Sequence, residues 1–172
     1  MSAALLLAKN GVSVTVYGQD KTAMHWALLK NYLGIEEIHG SEFQKKARAQ
    51  VTAFGAVIEE ARVESVSKSA AGFAAKLESG ASIECRFLIL SEGKSPRLAK
   101  QLGLGFDEQR GVVTDKNCCT TVSGVYAVGR LARPGRSQAI ISAGDGAAAA
   151  IDILSTIKGE DFTDWDSPPE ED

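Results

Sequence analysis

Cysteine, histidine and proline are all scarce in this 172-residue chain, at three, two and four residues. Cys85, Cys118 and Cys119 form no C-x-x-C and no metal-ligand spacing. So low and odd a count excludes a disulfide framework and points to a reducing compartment. Cys118 and Cys119 are adjacent, and a redox pair between neighbours needs an awkward ring geometry. His25 and His39 belong to no H-E-x-x-H or similar cluster, so no metal site is expected. Aromatics make up 6% and the bases are scattered, which argues against nucleic-acid binding. Long apolar runs are missing too: Ala3 to Ala8 is too short for a signal peptide and has no basic residue before it. No segment reads as a membrane span, and the chain is expected to be soluble and cytoplasmic.

Basic residues are absent from one region. Residues 159–172 hold seven acids and no Lys or Arg, whereas residues 1–158 carry nineteen bases against fifteen acids, a net of +4. Mild positive charge suits a phosphate-bearing ligand, and equally a plain solvated surface. The tail, with its Pro-Pro pair, is expected to be disordered or loosely docked. The remaining 158 residues, in a chain that is 44% hydrophobic, suffice for one domain with a single core.

Periodicity and turn residues predict a helix over 2–9, stopped by Asn10-Gly11, and a valine-rich strand over 12–17. Residues 18–39 read as an irregular connection with a short helical turn at 27–30. Ser41 is the expected cap of a helix running to Phe54, ended by Gly55. A strand from Ala56 enters an antiparallel meander with a hairpin at Ser79-Gly80. FLIL (87–90) is apolar throughout and stops at Ser91-Glu92-Gly93, the pattern of a strand buried on both faces. A short helix at 95–102 and strands GVVTD (111–115) and GVYAVG (124–129) follow. Residues 138–157 form an apolar helix with glycines at 144 and 146. This order predicts an α/β three-layer sandwich of Rossmann-like type, with a partly parallel sheet and the meander attached. A doubly wound domain normally opens on a central strand and a glycine-rich turn before its first helix. Here that strand is expected to be missing between VSVTVY and FLIL, as though the natural start lay upstream of Met1.

In this order, SAALLLAKNGVSVTVYG, KNYLG, GSEFQKKARAQVTAFGAVI, FLILSEG, GVYAVGR and SQAIISAGDGAAAAIDIL resemble the flavin domain of the thioredoxin reductases and related pyridine nucleotide-disulfide oxidoreductases. The resemblance covers about 150 residues. It implies binding of flavin adenine dinucleotide (FAD) and flavin-mediated oxidoreductase chemistry. Only thirty residues, 94–123, separate FLILSEG from GVYAVG, where the family carries a nicotinamide domain with its Cys-x-x-Cys pair. Reducing equivalents would then have to come from an electron donor protein or a diffusing donor. A homodimer would follow the family's habit. The alternative is a relative without cofactor or catalysis that acts as a binding module.

The resemblance nominates cofactor-binding residues and no catalytic one. Gly93 and Gly129 end apolar strands, either to let backbone approach a ligand or as ordinary strand-to-helix turns. Arg130 stands where the family has an aspartate that accepts a hydrogen bond from the ribityl chain. Arginine only donates, so it would pair with the pyrophosphate or else lie on the surface of a lost site. Gln138, Ala139 and Ile140 open the last helix, whose terminus would face the flavin's electron-rich edge. Asn31 would bond the ring or make a local turn, and Val63 aligns with a position whose backbone meets the adenine. Trp26 is read as a core or hinge residue, Gly18 supplies no ribose-binding acid, and Gly144-Asp145-Gly146 is read as a helix-packing notch.

Overall fold

The computed structural model describes residues 1–18 and 21–168. Helix α1 (Ser2–Lys9) ends at Asn10 and is followed by strand β1 (Thr15–Tyr17). Strands β2 (Leu28–Leu29) and β3 (Ile38–His39) form a small antiparallel hairpin that leads into α2 (Gly40–Ala53). Then come β4 (Val57–Glu59), β5 (Val63–Ser69), β6 (Gly72–Leu77), β7 (Ser82–Cys85) and β8 (Leu88–Leu90). Helix α3 (Arg97–Gln101), the short antiparallel pair β9 (Phe106–Asp107) and β10 (Gly111–Val112), β11 (Val125–Ala127) and the long α4 (Ala139–Lys158) complete the order.

Several local expectations shift. The strand expected over 12–17 contracts to β1, and the helical turn sits at Ala23–Trp26 rather than 27–30. His39, not Ser41, caps α2: its Nδ1 accepts from the Ser41 N–H. Capping requires an acceptor on the residue before the first helical turn, and the helix starts two residues earlier than a Ser41 cap would allow. The strand expected over 111–115 is only two residues long.

Two parallel pairs form the centre. β1 lies beside β4, with Val16 opposite Ile58, and β8 lies beside β11, with Ile89 opposite Tyr126. The meander β5-β6-β7 is antiparallel, with a register shift between Val63 and Ser65. Among the described residues β1 and β8 do not pair, so the two parallel pairs are separate sheets. Helix α1 bridges them. Its Ala3 and Leu7 pack into a cluster with Tyr126, Val128 and Ile153, while Ala4 and Ala8 pack with Val51 and Ala56. Val14 touches both clusters.

At 20 residues, α4 is long and apolar enough to cross a membrane by length and composition, which corrects the expectation that no segment comes near such a span. Its buried residues, Ala149, Ala150, Ile153 and Leu154 among them, lie in the core shared with α1 and β11. Beyond α4 the chain turns back at Gly159. Phe162 packs on the same core, its N–H donates to Ser155 Oγ at 3.1 Å, and Lys9 pairs with Asp164 at 2.9 Å.

Candidate functional site

Parallel pairing of β8 and β11 sends their following residues off the same sheet edge. Leu90 is opposite Ala127, and the Val128 N–H donates to the Leu90 carbonyl at 3.0 Å. Gly93 and Gly129 therefore leave adjacent strands at their carboxyl ends, each with positive φ (+69° and +62°). Gly129 opens a 3-10 turn, Gly129–Leu131, whose carbonyl accepts from the Ala132 and Arg133 N–H groups. A Cβ on Gly129 would lie 2.9 Å from Ser142 Oγ, so this turn sits directly against the first turns of α4.

Asp145 fixes that contact. It is the one charged residue buried among the described residues, and its carboxylate accepts from the Gly129 N–H at 3.0 Å and from Arg133 Nε at 2.9 Å. The carboxylate in turn raises the Arg133 pKa, through the hydrogen bond first and the charge second. A buried acid survives only with such partners. The expected packing notch is thus only partly right. Gly146 does face Ala3 of α1, but Asp145 is an anchor rather than a spacer.

Arg130 is placed differently. It is half-buried, and its Nε is covered by protein with no hydrogen-bond partner. Arg133, by contrast, donates its Nε–H to Asp145. Arg133 is thus paired with an acid, while Arg130 has no acidic partner among the described residues.

Gln138 precedes α4 as an exposed N-cap whose side chain makes no capping bond, leaving the helix terminus open, with Ala139 half-buried and Ile140 exposed. Instead, the Gln138 Oε1 accepts from Asn31 Nδ2 at 2.8 Å. This bond links residues 107 positions apart and brings the loop after β2 to the start of α4. That loop, Lys30 to Glu36, lines an open hollow. Trp26 precedes it and is 70% exposed, so it is not a core residue.

Of the residues nominated from sequence, Asn31 and Gln138 are in contact, Ala139 and Ile140 follow in the same helix turn, and Gly129 and Arg130 abut that helix. Gly93 shares their sheet edge. Val63 belongs to the meander instead, at the start of β5. Its carbonyl, with that of Glu64, accepts from the Arg97 guanidinium. Glu92, beside Gly93, turns its carboxylate onto α3 and accepts from the Leu98 and Ala99 N–H groups at 2.7 and 2.9 Å. Sequence reasoning missed Asp145, Arg133 and Glu92 as fixtures of the site. The available signal was an acid between two glycines on the apolar face of a helix, where burial demands hydrogen-bond donors nearby.

Cys118 lies beside the Asp145–Arg133 pair and Cys119 beside Asp152. Cys118 is fully buried and Cys119 half-buried, and both are free. Asp152 of α4 accepts from Cys119 Sγ, Tyr126 Oη and Asn117 Nδ2. Burial first, then the Asp152 hydrogen bond, pushes the Cys119 thiol up to about 12, and burial pushes Cys118 up to about 11. Neither is an activated nucleophile.

The family profile of pyridine nucleotide-disulphide oxidoreductases matches residues 33–147, the stretch running from the Asn31 loop through the Arg130 turn into α4. The chain belongs to that family. A thioredoxin reductase from Gloeobacter violaceus superposes with a TM-score of 0.83 at 16% identity, over 96% of this chain and 94% of that one. The atypical thioredoxin reductase TRi from Desulfovibrio vulgaris Hildenborough gives 0.76 at 18% identity, over 92% and 94%. A ferredoxin-flavin thioredoxin reductase from Clostridium acetobutylicum gives 0.78 at 16%, over 92% and 93%. At these identities the likeness establishes the fold, a Rossmann-like α/β architecture of the thioredoxin reductase type. No curated protein sequence matches the chain. The open N–H groups at the start of α4 fit a dinucleotide's negative charge, whereas the Arg130 Nε is covered by protein and the Val63 carbonyl accepts from Arg97.

Proposed function

We propose that this chain is an FAD-dependent oxidoreductase domain of thioredoxin reductase type, working without its own nicotinamide domain or redox disulfide. The observation that carries the reading is the Asn31–Gln138 bond at the open end of α4, beside the turn that bears Gly129 and Arg130. The flavin, when bound, supplies electron and hydride transfer, for which the protein side chains have no equivalent.

The chain's own residues bind and orient. Asn31 and Gln138 form a bonded pair able to turn amide groups towards a heterocycle. The open N–H groups of Ala139 and Ile140 present the positive end of a 20-residue helix to its electron-rich edge. Gly93 and Gly129 let backbone approach where a side chain would intrude. With no nicotinamide domain, electrons come from a separate carrier protein or a diffusing donor. The structural likeness to a reductase named for ferredoxin is in keeping with a protein donor. A soluble, cytoplasmic homodimer is the state proposed for the active form.

Purified protein titrated with FAD should acquire flavin absorbance and a higher melting temperature. A ligand binding only the folded state at a hundred times its Kd adds about 2.7 kcal/mol. Protein that stays colourless, with an unmoved melting curve, would refute the reading. One observation favours a second reading, a cofactor-free interaction module: Arg97 already donates to the carbonyl of Val63, whose backbone is expected to meet the adenine. That reading predicts the flat titration.

A further inference from the structure

The end of the β8–β11 pair opposite Gly93 and Gly129 carries two features of opposite charge. The first is the segment after α4, where residues 159–168 hold four acids and no base. Burial alternates along it. Phe162 turns onto the core and Asp164 onto Lys9, so Trp165 is turned outward and is 82% exposed. Lys9 also pairs with Asp166, so one ammonium holds the residues on both sides of the indole. A bare indole on a pinned chain offers a large apolar contact at a reduced ordering cost. Glu160 and Asp161 have no basic partner among the described residues. The second feature is a hollow of about 380 Å³ at the start of β8 and β11, walled by Phe73 and Phe87. Lys68 and Arg86 rim it and no acid lines it. Neither cation has an acidic partner among the described residues, because the meander acids Glu64 and Glu78 pair with Lys76 and Arg62 instead. Thr156, in the last turn of α4, lines the same hollow, so hollow and acidic segment flank one helix end.

We propose that this end of the molecule is a self-association surface, in which Trp165 of one copy enters the Lys68–Arg86 hollow of a second copy. Glu160, Asp161 and Asp166 then meet the two rim cations, which selects an acidic aromatic segment over a neutral one. Because both features lie at one end of the chain, a two-fold axis lets each copy give and receive an indole, and the assembly closes at two. Within one copy the indole stays outside the hollow, since Phe162 and Lys9 hold its segment against α1 and the core. The contact lies at the opposite end from the Asn31–Gln138 bond. It gives the homodimer a defined interface and does not depend on flavin binding.

Sedimentation of the full chain over a range of concentrations tests this surface. Wild type should form dimers that weaken as salt is added. Trp165→Ala should raise the dimer dissociation constant about tenfold or more, the loss typical of a central aromatic anchor, and Lys68→Glu/Arg86→Glu should do the same. The three side chains changed are exposed, so both variants should keep the wild-type circular dichroism. Should the charge reversal misfold, Lys68→Ala/Arg86→Ala takes its place. With p-benzoylphenylalanine at position 165, light should join two copies covalently, with the adduct on residues 68–73, 86–87 or 123–124. Wild type that stays monomeric at every concentration up to about 1 mM overturns the surface, as do crosslinks within one copy or to any other region. A dimer unmoved by both variants overturns it as well, while leaving a homodimer built on some other contact. None of these outcomes bears on the flavin reading, which the FAD titration tests separately.

Discussion

Asn31 Nδ2 donates to Gln138 Oε1 at 2.8 Å, tying the loop after β2 to the N-terminus of α4. Both side chains are exposed, so the bond contributes little to stability, about 0.5–1 kcal/mol. Its effect should instead be on binding. Asn31→Ala and Gln138→Ala should each weaken FAD several-fold, and the double variant should lose less than the two singles combined. Strict additivity in that cycle would mean that the pair does not act as a unit.

Gly111 supports the arginine-bearing turn from below. It has φ +78°, and a Cβ there would lie 2.4 Å from the Leu131 carbonyl oxygen and 2.8 Å from the Ala132 carbonyl group. Both obstacles are backbone, which cannot swing aside. Gly111→Ala should cost about 2–4 kcal/mol in urea unfolding, more than Gly129→Ala, whose nearest obstacle is a rotatable serine hydroxyl. Equal losses would show that the two turns are not differently constrained.

The cysteines should make the protein sensitive to alkali. The Cys118 and Cys119 thiols are raised from the ordinary 9.0 to about 11 and about 12, and Tyr126 is raised too, by burial and by Asp152. A group whose folded pKa exceeds its unfolded value stabilises fully below the unfolded value, and loses that contribution as pH rises towards the folded one. Stability should therefore be flat to about pH 9 and fall between about 9 and 12. At neutral pH the native thiols should react with disulfide reagents far more slowly than in the unfolded chain. Asp152→Asn should speed Cys119, and an unchanged rate would dissociate Asp152 from that thiol.

Phe162 anchors the segment after α4. It packs on the α1–α4 core, and the Lys158 ammonium lies 4.1 Å from its ring centre. Phe162→Ala should cost about 1–2 kcal/mol and expose residues 159–168 to protease. Unchanged proteolysis would mean that the ring does not hold this segment.

Much of the frame could be read before any coordinates. The closing helix, the meander and the two short parallel strands follow from local patterns: valine alternation, the FLIL run and the apolar 138–157 stretch. Each reflects contacts within a few residues. The errors lie where distant residues decide. His39 displaced Ser41 as a cap because α2 starts under the 23–27 turn, where the Gly40 N–H donates to the Ala27 carbonyl. Trp26, read as a core or hinge residue, is not in the core, because Leu29 faces inward there.

Composition and order alone set two glycine-ended strands, two arginines after the second of them and no C-x-x-C pair, each a property of covalent sequence that folding cannot alter. Which arginine is neutralised was settled only in three dimensions. Arg130 and Arg133 are equal cations three residues apart in an unremarkable loop. Helix α4 decides between them, because packing it against β11 brings the buried Asp145 carboxylate within hydrogen-bonding distance of one and not the other.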